Sequence, residues 1–181
     1  SKIEREVIIP SKALTLALRS FENGETTISF NETHVMFSIG PITLISRMIE
    51  EKYPNYESVI PIDNDKKLIV DREQLIASVR RTALYASSTT HQVRFSLKKG
   101  SMTVSAEDID FGSEAKETLV CDYSSDPMEI GFNAGYIVDI LSHIDTNELL
   151  IMLSTPTRAC IIKPTDQHTA ENLLMLVMPV R

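Results

Sequence analysis

Four histidines, two cysteines and two short acidic runs are the first places in this 181-residue chain to look for catalysis or metal binding. His34, His91, His143 and His168 are scattered and share no ligand spacing. Cys121 and Cys160 stand far apart in apolar, strand-like runs, with neither a CxxC nor a Cys/His cluster, so a zinc site is not expected. Both read as buried reduced thiols, which fits a cytoplasmic protein. Asp63-Asn64-Asp65 is the best carboxylate cluster, but it lacks the glycine and the distant glutamate of a calcium loop and reads as a solvated linker. Glu107-Asp108-Ile109-Asp110 reads as a charged hairpin. There is no G-x-S-x-G, no Gly-rich phosphate loop and no HExxH. The expectation is a protein that binds rather than catalyses, with no catalytic residue, no metal and no cofactor.

Charge is the next source of chemistry. The net charge is -7, which argues mildly against tight, static DNA binding but leaves room for a small basic face on an acidic body. Lys12 and Arg19 lie seven apart, on one face of a helix. Arg80 and Arg81 form a second basic pair. Hydrophobic residues make up 43% and charged residues 24%, the balance of a soluble globular protein. No apolar run approaches the roughly 20 residues that span a bilayer, and Ser1 to Glu6 carry no signal-peptide core, so no membrane partner is expected. Without such a signal the sequon Asn31-Glu32-Thr33 has no consequence.

The elements that must position these side chains recur three times, each as strand, cap, helix and three strands. In the first copy Val7-Ile8-Ile9 is strand-like, Ser11 is the expected N-cap, and Leu14, Leu18 and Phe21 form a helical stripe. Asn23-Gly24 is a turn signal, and strands follow at Ile28 to Phe30, Val35 to Phe37 and Ile42 to Ile45. The second copy opens with Leu68-Ile69-Val70, is capped by Asp71 and carries the stripe Ile76, Val79, Ala83. Val93, Phe95 and Leu97 then alternate with polar residues, as do Met102, Val104 and Ala106, and a third strand covers Thr118 to Cys121. The third copy opens with Glu129 to Phe132, is capped by Asn133 and carries Ile137, Ile140, Leu141 and Ile144. Its strands are Leu149 to Leu153, Ala159 to Ile162 and Leu173 to Met178. The pattern predicts an α+β fold of repeated strand-helix-three-strand units, with antiparallel sheets and helices on one face. An irregular stretch, Glu50 to Asp65, separates the first copy from the others. The expected division is 1–62, half of one domain, and 63–181, a complete domain.

Three segments in register carry a family resemblance. Tyr53-Pro54-Asn55-Tyr56 with Val59-Ile60-Pro61 resembles the connector between the middle and last domains of bacterial DNA sliding clamps, the beta subunit of DNA polymerase III. Met128 to Asn133 with Tyr136 resembles the start of the last domain's second half. Val177-Met178-Pro179-Val180-Arg181 resembles the family's C-terminal tail. The resemblance implies the sliding-clamp (DNA clamp) fold. It also implies a processivity factor that closes as a head-to-tail homodimer around duplex DNA and tethers the replicative polymerase without chemistry. This chain would correspond to the second half of the middle domain plus the last domain, and could not close the usual ring. Partners implied are duplex DNA without sequence preference, the DNA polymerase III alpha subunit, the clamp loader, and other polymerases and repair proteins that carry short peptide motifs.

The resemblance also assigns surfaces. Pro54, Ser58, Val59, Tyr136, Leu176, Val177, Met178, Pro179, Val180 and Arg181 match the wall of an apolar peptide pocket. Ser58 stands where some relatives carry Arg, and the opposite wall would belong to the half-domain that is not part of this sequence. Met suits adaptable apolar contacts, while Leu176 and Val177 fit ordinary strand core equally well. Lys12, Arg19, Arg80 and Arg81 match the DNA-facing helices, though each also fits a solvated surface. Leu84 and Tyr85, with Glu114 and Glu117, match the subunit interface. The alternatives are core for the apolar pair and edge-strand charge for the glutamates. A generic protein-interaction scaffold is the competing reading of the whole chain, and a hydrolase with unrecognised residues a more distant one. An isolated first copy is expected to expose apolar surface and a sheet edge, and so to self-associate.

Overall fold

The computed structural model describes residues 6–21, 24–167 and 172–180; Asn23, His168 and Arg181 lie outside the described residues. The chain forms two compact units, divided between Asn55 and Tyr56, ahead of the division expected from the sequence.

Unit 1 holds helix α1 (Ser11–Ser20) and strands β1 (Thr27–Phe30), β2 (His34–Ile39) and β3 (Ile42–Arg47), in an antiparallel sheet of order β1-β2-β3. Its small core is Ala17, Val35, Phe37 and Met48, with Val7, Ile9, Phe21 and Leu44 packed against it. Three expectations are corrected here. Pro10, not Ser11, is the N-cap, and Ser11 is the first helical residue without a side-chain capping bond. The helix buries Ala13 and Ala17, whereas Leu14 and Leu18 are 42% and 82% exposed. The cause is that α1 has two apolar faces and the three-stranded sheet covers only the alanine face. Val7 to Ile9 makes a single bridge, Ile8 to Ile49, rather than a strand.

Unit 2 opens with a short 3-10 turn, Tyr56–Val59. Its first half holds β4 (Lys66–Asp71), α2 (Arg72–Thr82), a 3-10 turn (Ala83–Tyr85), β5 (Gln92–Lys98), β6 (Ser101–Asp108), β7 (Ser113–Val120) and β8 (Asp122–Tyr123). The second half holds β9 (Met128–Asn133), α3 (Ala134–Ser142), β10 (Glu148–Leu153), β11 (Cys160–Pro164) and β12 (Met175–Val177). The Asp71 side chain accepts from the Gln74 N–H at 2.8 Å and the Asn133 side chain from the Gly135 N–H at 2.9 Å, so both sequence-read caps hold. Gly100, at φ +73°, makes the β5–β6 turn that a side chain would strain. Strands β5 and β6 alternate buried apolar and outward polar residues as their period of two requires.

The sheets are not built one from each half. Their orders are β7-β6-β5-β9 and β12-β11-β10-β4-β8. The leading strand of each half therefore crosses into the sheet of the other: β9 pairs with β5 from Gln92–Asn133 to Leu97–Met128, and β4 pairs with β10 from Glu148–Asp71 to Leu153–Lys66. Helices α2 and α3 pack side by side, α2 against β6 and β7 and α3 against β12, and share one core with the strands. Strand β8 was not expected from the sequence, and β7 starts earlier than the stretch Thr118 to Cys121 suggested.

Both cysteines are buried and unpaired. Burial pushes the Cys160 thiol up to about 12, and burial followed by the nearby Asp122 charge raises that of Cys121. Since the thiolate is the reactive form, neither cysteine should react measurably with a thiol reagent at pH 8 until denaturant is added. A fast-reacting native thiol would contradict this burial.

Candidate peptide-binding site

The chain end forms the wall of interest. β12 lies on β11, with Cys160 opposite Val177 and Ile161 opposite Leu176. Val177 is buried and belongs to the core, so the core alternative holds for it; Leu176 is half-buried. The chain then leaves this sheet, turns Met178 outward at 60% exposure, and reaches the other sheet, where the Val180 N–H donates to the Gly131 carbonyl at 2.9 Å. The tail thus ties the two sheets of unit 2 together. Gly131 permits the crossing, because a Cβ there would lie 3.1 Å from the Val180 carbonyl oxygen and would collide with the Gln92 side chain.

Two residues beyond Gly131, Asn133 caps α3, and Tyr136 stands in the first helical turn with 65% of its surface exposed. Helix α3 packs against β12. Tyr136 and Met178 are thus exposed, and Leu176, Pro179 and Val180 half-buried, on a helix and a tail that pack together. Ser58 and Val59 are exposed on the 3-10 turn that opens unit 2, and Pro54 is exposed in the last residues of unit 1. Arg181 lies outside the described residues.

Of the basic residues, Lys12, Arg19 and Arg80 are exposed and make no ion pair among the described residues. Arg81 differs: its Nε and one terminal nitrogen each donate at 2.6 Å to the two oxygens of Glu117. The resemblance placed these two residues on separate surfaces, yet they form one fork-shaped pair between α2 and β7. That guanidinium holds the Glu117 carboxyl below the usual carboxylate range. Glu114 lies three residues away, hence on the opposite face of β7, beside Lys116. The two glutamates do not make one acidic row. Leu84 and Tyr85 are 82% and 46% exposed on the turn after α2, which removes the core alternative for Leu84.

The sequence missed Asn64. It is 5% exposed, and its amide nitrogen donates to the carbonyls of Met152 and Ala159, both at 3.0 Å, while Asp63 next to it pairs with Arg158. This stretch is an anchor at the β10–β11 connection, not a solvated linker. A cavity of about 510 Å³ beside β5, β6 and β7 is lined by Arg94, Glu107, Asp110, Glu114 and Lys116. Its charged lining includes the Arg94–Glu107 pair and does not suit an apolar peptide. Among the described residues no group of histidine, cysteine and carboxylate side chains is arranged to hold a metal, and no helix is long and apolar enough to cross a membrane.

Comparison with known proteins adds the following. Residues 57–181 match the family described as DNA polymerase III beta subunit, C-terminal domain. The beta sliding clamp of Pseudomonas aeruginosa is 31% identical over 183 residues, covering 100% of this chain and 49% of that protein. The beta sliding clamp of Caulobacter vibrioides is 30% identical over 178 residues, covering 97% and 46%. The crystal structure of a sliding clamp from Bartonella birtlesii bound to griselimycin superposes with a TM-score of 0.86 at 31% identity, covering 97% of this chain and 47% of that one. A Pseudomonas aeruginosa DNA polymerase III subunit beta superposes at 0.87, covering 100% and 49%. The chain spans about half the length of the relatives it matches.

Proposed function

The chain belongs to the bacterial DNA sliding-clamp family, the beta subunit of DNA polymerase III, and on that premise we propose that it supplies the partner-binding end of a DNA polymerase processivity factor. Its work is tethering, not chemistry: it holds a polymerase or repair protein by a short apolar peptide while the ring to which it contributes encircles duplex DNA in the cytoplasm. The observation that carries this reading is the tail from Met175 to Val180, which is pinned to both sheets and exposes Met178, while α3, which packs against β12, exposes Tyr136. An apolar rim on fixed backbone suits a peptide whose Leu and Phe side chains seek burial. Related clamps solved with griselimycin bound support a ligand-accepting surface in the family. Lys12, Arg19 and Arg80 supply sparse phosphate contacts, which is what sequence-independent sliding requires. Arg81, held by Glu117, contributes less. Homodimeric ring closure through Leu84 and Tyr85 belongs to the same proposal.

The test is a titration of the labelled chain with a short peptide rich in Gln, Leu and Phe, followed by amide NMR. Shifts clustered at Val59, Tyr136 and Met178 are expected. An unchanged spectrum at millimolar peptide would overturn the assignment of this surface. Gly131→Val sharpens the test. The added side chain pushes the Val180 carbonyl and Gln92 away, so the tail shifts and peptide affinity should fall about tenfold, roughly 1.4 kcal/mol. Unit 2 should remain folded by circular dichroism. Unaltered affinity would show that the tail does not form the wall.

A further inference from the structure

The tail meets β9 in an isolated bridge, Gly131 with Val180, closed by the Val180 N–H on the Gly131 carbonyl. A bridge outside a ladder has no neighbouring rungs to hold it, so what packs around it decides how firmly the tail is held. Glu129, Gly131 and Asn133 follow one another along one face of β9, opposite the face that sends Met128, Ile130 and Phe132 into the core. On that face the Ser96 hydroxyl donates to Glu129 at 2.8 Å, and the Asn133 amide donates to the Thr90 carbonyl at 3.5 Å. Gly131, between them, leaves a notch.

The Gln92 side chain fills that notch from β5. Its amide nitrogen lies 2.3 Å and its amide carbon 3.2 Å from the point that a Cβ on Gly131 would occupy. The Val180 carbonyl oxygen lies 3.1 Å from the same point. Gln92 and the tail thus close on Gly131 together, and both Gln92 and Val180 are half-buried.

Gln92 is itself held in place. It is the first residue of β5 and stands opposite Asn133. His91 before it has φ +49°, a region that residues other than glycine seldom adopt. Backbone bonds fix that conformation on both sides. The His91 N–H donates to the Ser87 carbonyl at 2.8 Å, and the His91 carbonyl accepts from the N–H of Ala134, the first residue of α3, at 2.9 Å. The corner Thr90-His91-Gln92 therefore touches the α3 cap, the start of α3 and the crossing of the tail.

Taking this surface as the peptide site proposed above, we propose that Gln92 is a positioning residue for it: packed over Gly131, Gln92 holds the tail against β9 and so fixes where Met178 is presented relative to Tyr136 on α3. It acts by filling space. A side chain of similar length without the amide therefore serves equally.

The experiment compares the full chain with Gln92→Ala and Gln92→Met. It reads amide hydrogen exchange by NMR and affinity for the peptide rich in Gln, Leu and Phe. Gln92→Ala opens the notch. Its Val180 amide should exchange about tenfold faster, while Leu97 in β5 and Ile151 in β10, on strands paired along both edges, exchange as before. Its peptide affinity should fall about fivefold. Gln92→Met refills the notch and should bring both quantities back to within about twofold of the wild type. Unchanged Val180 exchange in Gln92→Ala overturns the proposal. So does faster exchange spread evenly over Leu97 and Ile151, which marks a general weakening of unit 2. A faster Val180 amide with unchanged affinity overturns it as well, and so does a Gln92→Met that behaves like Gln92→Ala. A wild-type chain that binds no peptide overturns the peptide-site reading instead, and Val180 exchange then still decides whether Gln92 holds the tail.

Discussion

Replacing Phe132 by Ala should lower the stability of unit 2 by about 3–5 kcal/mol. Phe132 is 1% exposed on β9, and its ring lies 5.3 Å from that of Phe95, tilted by 59°. The tilt is an arrangement aromatic pairs favour, worth about 0.5–1.5 kcal/mol beyond burial alone. β9 is one of the two crossed strands, so the cavity would open where the halves join. Relaxation there is limited, since β5 and β9 are paired along their length. Urea unfolding followed by fluorescence or circular dichroism gives the number. A loss below about 1 kcal/mol would mean that the Phe95–Phe132 contact is not part of a packed core.

The second large effect is expected at Asn64. Asn64→Leu keeps the volume but leaves the Met152 and Ala159 carbonyls without their donor, at a cost of about 2–3 kcal/mol. The Asn64 side-chain oxygen has no hydrogen-bond partner among the described residues, so its removal offsets part of the loss. Asp63→Asn is the control. It removes only the half-exposed pair with Arg158 and should cost under about 1 kcal/mol. Equal effects for the two variants would place the anchor in the charge rather than in the buried amide.

What could be read in advance was local. Asp71 and Asn133 cap their helices through hydrogen bonds that span two or three residues, and the alternation at Val93, Phe95 and Leu97 reports a buried face without reference to any partner. The α1 stripe misled for the same reason. Leu14 and Leu18 have helical spacing, but spacing does not say which of two apolar faces is covered. The crossed strands β4 and β9, the Arg81–Glu117 fork and the Asn64 anchor all depend on partners distant in sequence. Asn64 was hidden further by the aspartates on either side, which make the segment look solvated. The tail residues were recognisable only through the family resemblance. Their tie to Gly131 became visible with the fold.

The crossing of β4 and β9 also sets a schedule for folding. During synthesis the first half emerges complete in sequence but not in structure. β5 has an empty edge until residues 128–133 appear, and Asp71 waits for Glu148. No stop point exists at which half of unit 2 is a finished body, so its two halves should be gained and lost in one cooperative step. Such non-local pairing folds slowly, and throughout the interval the waiting edges are open to the wrong strand. The repeat that makes the unit simple to describe therefore also leaves two waiting edges, on β5 and on β4, that the growing chain must fill with the right strands, β9 and β10.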